Sequence, residues 1–181
     1  MNFLGGCHKI QLGKMFIIIG LGNPGQEYQN NRHNAGFMVL DLFKKKENFS
    51  DFILNKKWNA FTLETKIGRK KIVLVKPQTF MNNSGQAIKK AISFFRCPLS
   101  NLLIIHDDID LKLGQIKIVK NRGSANHKGV ESIIKELKTK DFLRIRIGID
   151  SNLKKRKELK KIVLENFSEE EKKFLNKFLK R

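Results

Sequence analysis

His33 and the run His106-Asp107-Asp108-Ile109-Asp110 are the residues of this chain best suited to moving protons or binding a metal. An imidazole titrates near pH 6.5 and so exchanges a proton in neutral water. His33 lies in the stretch GLGNPGQEYQNNRHNAG, Gly20 to Gly36, which carries Gly20-x-Gly22-x-x-Gly25 directly after the apolar run Phe16–Ile19. Such a pattern can cradle a dinucleotide when a helix opens at the third glycine. Here a polar stretch intervenes before Ala35, and Asp41, at the distance of a ribose-binding acid, sits inside a helical run. The spacing argues for a loop that presents side chains. Asn23-Pro24-Gly25 is a turn tripeptide that can fix the Asn23 amide at a strand end, where open α/β sheets collect ligands. His33 then arrives at the start of the next helix. Each feature also has a plain reading. A single histidine in a polar segment is commonly a surface residue, and the carboxylates of 106–110 can cap turns. A metal site there is disfavoured, because an extended segment points alternate side chains to opposite faces.

The elements that must position these groups follow from periodicity. Phe16–Ile19 reads as a buried strand and Gly20–Asn31 as a polar loop. Ala35–Lys46 has helical spacing, with Ala35, Met38, Val39, Leu42 and Phe43 on one face. Trp58–Thr65 and Lys71–Val75 form a strand pair around Gly68-Arg69, ended by Pro77. A second amphipathic helix runs from Asn83, and Leu102–Ile105 is another buried strand. Gln115–Val119 alternates weakly. A third helix covers Asn126–Lys138, and Phe142–Ile149 alternates with Arg144 and Arg146 on its polar side. The basic stretch Ser151–Lys161 reads as a solvated loop. Ser168-Glu169-Glu170-Glu171 is a capping box that opens a last helix. Strands alternating with helices predict one α/β domain, residues 15–181, with a largely parallel or mixed sheet.

Bulk properties narrow the partners. The chain has 181 residues and a formal charge of +20. A cationic surface of this size attracts polyanions, nucleic acid ahead of an anionic membrane. Cys7 and Cys97 make no CxxC and no disulfide framework, which suits a reduced, cytoplasmic setting. No apolar run approaches the length that spans a bilayer. Residues 1–14 read as a flexible extension, with Met15 a candidate start.

Taken in order, these pieces resemble the bacterial peptidyl-tRNA hydrolase family. The resemblance rests on Gly20-Leu21-Gly22-Asn23-Pro24-Gly25, Tyr28, Arg32-His33-Asn34-Ala35-Gly36, Pro77-x-Thr79-Phe80-Met81-Asn82-x-Ser84-Gly85 and His106-Asp107-Asp108-Ile109-Asp110. It continues through Gly123-Ser124-Ala125, Arg144-Ile145-Arg146-Ile147-Gly148 and Val163-Leu164-x-x-Phe167. It implies hydrolysis of the ester between a peptide and the 3′-terminal ribose of tRNA. It also implies a monomer with a mixed twisted sheet flanked by helices, and no metal or organic cofactor. By resemblance His33 is the general base, Asp107 holds its other nitrogen, Asn82 donates to the oxyanion, and Asn23 positions water, base or peptide. Tyr28 and Met81 line the cleft. Arg146 belongs to a clamp on the tRNA 5′-phosphate, with Lys117 or Lys120 as its partner. The family usually reads Gly-Gly-His-Asn-Gly before its third helix, whereas this chain has Asn126-His127-Lys128-Gly129, one residue shorter. His127 takes the histidine's place among the substrate-binding residues. Lys128 replaces the asparagine, so either Asn126 assumes that role or Lys128 contacts phosphate. The competing expectations are a non-catalytic RNA-binding relative of the same fold and, less well supported, a dinucleotide-dependent oxidoreductase.

Overall fold

The computed structural model describes residues 15–150 and 159–179; the expected extension 1–14 and most of the basic stretch after Asp150 lie outside them. Seven strands form one sheet in the order β2-β3-β4-β1-β5-β7-β6. The central strands β4 (Lys70–Pro77), β1 (Met15–Gly20), β5 (Leu102–Lys112) and β7 (Leu143–Asp150) run parallel. The outer strands β3 (Ala60–Ile67), β2 (Ile53–Asn55) and β6 (Ile116–Lys120) are antiparallel to their neighbours, so the sheet is mixed.

The alternation of apolar side chains sorts the helices onto two faces. Ile17 and Ile19 of β1 align with Val73 and Val75 of β4 and with Leu102 and Ile104 of β5. These side chains pack with Ile88 and Ala91 of α2 (Ser84–Phe95) and Val130 and Ile133 of α3 (Lys128–Leu137). The opposite parity, Leu74, Ile105, Ile147 and Ile149, packs with Ala35 and Leu40 of α1 (Ala35–Lys46) and Leu175 of α5 (Glu169–Leu179). The Ser168 capping box forms as expected: the Glu171 N–H donates to Ser168 Oγ at 3.2 Å, and the Ser168 N–H to Glu171 Oε2 at 2.9 Å.

Several boundaries differ from expectation. β5 does not stop at Ile105 but carries on through the acidic run to Lys112, because β7 pairs with it up to Asp108 and again at Lys112. The third helix starts at Lys128 rather than Asn126, whose φ of 62° lies in the left-handed region. Arg144, expected on the polar side of β7, is buried, with its Nη2 donating to the carbonyls of Arg122 and Gly123. The basic stretch gives way at Leu159 to a short helix, α4 (Leu159–Leu164).

The glycines of the opening loop serve packing. A Cβ on Gly20 would lie 2.3 Å from the Gly36 carbonyl oxygen, and one on Gly36 would lie 2.4 Å from both the Ile105 oxygen and the Leu21 nitrogen. The start of α1 therefore presses directly on the end of β1 and on the middle of β5. Backbone cannot retreat as a flexible side chain can, so Gly36→Ala should destabilise the fold by about 1–3 kcal/mol. The expected readout is a lowered thermal midpoint.

Candidate active site

In a parallel sheet, ligands gather at the carboxyl ends of strands where chain connections diverge. β1 and β4 end beside the middle of β5; the segments leaving β1 and β4 supply Asn23, then Met81 and Asn82, and β5 itself carries His106 and Asp107. A cleft of about 1320 Å³ opens there, bordered by Asn23, His33, Met81, Asn82, Asp107 and His127.

His33 sits in a single helical turn, Arg32–Asn34, just before α1. Its Nδ1 lies 2.8 and 2.9 Å from the two carboxylate oxygens of Asp107. An ionised carboxylate only accepts, so Nδ1 carries the proton. Nε2, without a protein partner among the described residues, is then the acceptor on the cleft side. Burial works against the imidazolium, but the charge and hydrogen bond of Asp107 outweigh it and raise the His33 pKa above its ordinary value. Burial would likewise favour a neutral Asp107, yet His127 and His33, by charge and by hydrogen bond, hold its carboxyl far below the usual range.

Asn23 ties the loops together. Its Oδ1 accepts from the Met81 N–H at 2.8 Å, fixing the turn that presents Asn82. Its own backbone is gripped at both ends by Asn34: the Asn23 N–H donates to Asn34 Oδ1 at 2.9 Å, and Asn34 Nδ2 donates to the Asn23 carbonyl at 3.0 Å. Asn82 is exposed at the cleft, and its amide makes no protein hydrogen bond among the described residues. Met81 is buried beneath it, and Tyr28 stands edge-on to Phe80, centroids 6.4 Å apart.

His127 lies between two other imidazoles, with ring centroids 4.8 Å from His33 and 4.6 Å from His106. Its Nε2 is 2.9 Å from Asp107 Oδ1, and its Nδ1 accepts from the N–H groups of Gly129 and Val130. His106 is buried and donates from Nδ1 to the Asp107 carbonyl; burial and the neighbouring His127 keep its pKa well below the ordinary value, and so the ring neutral.

His33, Asp107 and His127 also form a potential metal-ligand set, their ligand atoms within 4.8 Å of one another. The 2.8–2.9 Å contacts from both rings to Asp107 are hydrogen-bond lengths. Ligand atoms sharing a tetrahedral ion at about 2.0–2.1 Å lie about 3.4 Å apart. The geometry is that of two N–H donors on one carboxylate.

The basic residues divide by strand parity. In the β6–β7 pairing Lys117 stands opposite Arg146, and both border the cleft. Lys120 has the other parity and pairs with Asp141 at 3.4 Å. Arg146 Nε contacts Asp108 Oδ2. Lys128 is exposed at the start of α3, bonded to Glu131 Oε2 at 2.9 Å, and Asn126 also borders the cleft.

Four neighbours escaped the sequence reading. Asn34 aligns Asn23. Asp108 holds Arg146. Arg144 donates from Nη2 to the carbonyls of Arg122 and Gly123, fixing the cleft's far rim. Arg32 grips both carboxylate oxygens of Glu171 at 2.9 and 3.0 Å and donates to the Ile149 carbonyl, seating the C-terminal segment behind His33. Their adjacency to His33, Asp107 and Arg146 was the only signal available.

A buried carboxylate–imidazole pair with a free nitrogen, lining one cleft with an exposed amide on an α/β sheet, defines a hydrolase-type centre. The family model for peptidyl-tRNA hydrolase matches residues 17–181. A peptidyl-tRNA hydrolase of Mycoplasma mycoides subsp. mycoides SC is 46% identical over 157 residues, 87% of this chain and 83% of that protein. One from Thermoanaerobacter sp. is 45% identical over 162 residues, 90% and 85% of the two chains. The crystal structure of an Acinetobacter baumannii peptidyl-tRNA hydrolase superposes with a TM-score of 0.84 at 28% identity, covering 92% of this chain and 83% of that one. The chain belongs to the peptidyl-tRNA hydrolase family.

Proposed function

We propose that this chain hydrolyses the ester between the peptide and the 3′-terminal ribose of peptidyl-tRNA, releasing free tRNA and peptide. The observation that carries the reading is His33 Nε2, open to the cleft, on a ring oriented by Asp107, in a chain of this family. Water gives its proton to Nε2, and its oxygen attacks the ester carbonyl. The developing oxyanion takes a hydrogen bond from the Asn82 amide. As the intermediate collapses, the ribose 3′-oxygen leaves and takes the proton back from the imidazolium. Asn23 positions Asn82 through Met81, and its Nδ2 remains for the peptide backbone, a group common to every peptide sequence. Met81 shapes the cleft, Tyr28 packs edge-on to the cleft residue Phe80 without bordering the cleft itself, and His127 borders the reacting centre. No step needs a metal or an organic cofactor.

Lys117 and Arg146 form the phosphate clamp in this reading, since they share a face and a register position. Lys120 lies outside it, and Lys128 and Asn126 are placed for backbone contacts nearer the reacting ester. Arg146→Ala should weaken tRNA binding and reduce the slope of log affinity against log salt by about one, as for one lost phosphate contact. An unchanged slope would remove Arg146 from the clamp. The chain acts as a cytoplasmic monomer on this reading. No helix among the described residues is long and apolar enough to cross a membrane.

The direct test is release of free tRNA from an N-blocked aminoacyl-tRNA, with the unblocked form as control. Turnover of the blocked substrate supports the reading. Tight tRNA binding without turnover supports the non-catalytic alternative. Activity should survive prolonged chelation, and loss restored by added zinc would make the His33–Asp107–His127 set a metal centre.

A further inference from the structure

The carboxylate of Asp107 has two histidine clients, and only one faces the cleft with a free nitrogen. On His127 both nitrogens are engaged within the protein. Nδ1 accepts from the N–H groups of Gly129 and Val130 at 3.2 and 3.3 Å, which makes this ring the N-cap of α3. A nitrogen that accepts cannot carry the proton, so the neutral ring is protonated at Nε2, 2.9 Å from Asp107 Oδ1. Charging the ring would cost both cap bonds. The backbone of α3 thus locks His127 as a donor to Asp107. The same Oδ1 also accepts from His33 Nδ1 at 2.8 Å.

We propose that His127 is a positioning residue that acts through Asp107: its Nε2–H donation fixes the carboxylate and limits how strongly that carboxylate holds a proton on His33. This inference rests on the hydrolase reading above. The reasoning is electrostatic. A carboxylate that accepts from two rings is better satisfied, and its charge is drawn off toward the second donor. Its attraction for the His33 imidazolium is therefore weaker than that of a carboxylate serving His33 alone. An over-strong attraction would leave His33 protonated in neutral solution, where it could not accept from water. Other charges around the pair do not supply this restraint. On β5, His106 is kept neutral chiefly by burial, and Asp108 is turned to Arg146. On β7, the Arg144 guanidinium is committed to the Arg122 and Gly123 carbonyls. At the head of α3, Lys128 is turned to Glu131.

Two substitutions separate the two bonds of His127. Asparagine places its Oδ1 near the position of Nδ1 and is a favoured N-cap, but it does not reach Asp107. Glutamine reaches Asp107 with an amide N–H but has no acceptor at the Nδ1 position. In H127N the His33 imidazole, followed by NMR in the substrate-free protein, should titrate at higher pH than in the wild type. The acid limb of kcat/KM should move with it, costing about tenfold at low pH for each unit moved. By about pH 9 the rate should return to within about twofold, a recovery that mere disruption of the fold does not give. In H127Q the titration and the acid limb should stay with the wild type, while the thermal midpoint falls through the lost cap. An unmoved His33 titration in H127N, or an equal shift in both variants, overturns the proposal. A wild type inactive on N-blocked aminoacyl-tRNA would overturn the hydrolase reading instead, and the His33 titration, which needs no substrate, would still decide the role of His127.

Discussion

His33→Ala should lower kcat/KM on N-blocked aminoacyl-tRNA by about 10²–10⁴-fold, the usual contribution of a positioned proton acceptor, while tRNA affinity stays near that of the wild type. The two quantities separate because His33 is distant in role from the cationic face: it is buried and bonded to Asp107, whereas Lys117 and Arg146 lie on β6 and β7. A pH profile adds a second check. Asp107 raises the His33 pKa against the opposing effect of burial. Only the neutral ring can accept from water, so the rate should climb as pH rises through that raised value and then level. The stability contribution has the opposite slope. A raised folded pKa adds stability below the ordinary imidazole range, and that increment is lost as pH rises through the folded value. Activity and this part of stability should therefore move in opposite directions as pH passes the raised His33 pKa. Unchanged turnover in His33→Ala would remove the ring from the mechanism.

β1 and β4 were legible because each is an apolar run closed by glycine or proline, and the start of β5 because Leu102–Ile105 is an unbroken apolar run. The structure adds the faces: Ile17, Ile19, Val73 and Val75 share one side of the sheet. What escaped lacks such a signature. β2 is a three-residue edge strand whose Ile53 and Leu54 are exposed, so no burial pattern marks it. The far half of β5 is acidic, and only the pairing with β7 keeps it extended. Arg144 was placed with Arg146 on the polar side of its strand; it is buried because its guanidinium is held by the carbonyls of Arg122 and Gly123, which is a tertiary effect. The loop around Asn23 was readable as a rigid presenter of side chains. Its anchor Asn34 was not, since an amide gripping a peptide group eleven positions earlier has no local pattern. His33 and Asp107 meet across a separation of 74 residues, and no periodicity can bring them together. The family resemblance named that pair. The structure supplies the distance and the third ring, His127, standing on the same carboxylate.

Asp107→Asn should be nearly as damaging as loss of the base, although it changes little in shape. His127 is fixed as an Nε2–H donor by the α3 backbone, so the substituted side chain must turn its carbonyl oxygen toward His127, at the Oδ1 position. The amide nitrogen then takes the Oδ2 position, 2.9 Å from His33 Nδ1. The amide N–H at the Oδ2 position opposes a proton on His33 Nδ1, although the carbonyl oxygen at the Oδ1 position, 2.8 Å away, could still accept it; the expected shift is toward the tautomer that accepts from the amide at Nδ1 and carries its proton on Nε2. The nitrogen that faces the cleft becomes a donor and can no longer take a proton from water. A misdirected tautomer of this kind costs on the order of 10⁴ in kcat in the Ser-His-Asp enzymes, and a loss of about 10³–10⁴ is expected here. Stability should fall as well. The Asp107 pKa is depressed in the fold, so its contribution is present above the ordinary carboxylate range and lost only as pH falls through the folded value. Near neutrality the substitution removes all of it. Nitrogen-resolved NMR of the imidazoles can read the tautomers directly: the His33 proton should move from Nδ1 to Nε2, while that of His127 stays on Nε2. A His33 that keeps its Nδ1 proton in an inactive Asp107→Asn protein would show that the aspartate acts by its charge and not by setting the tautomer.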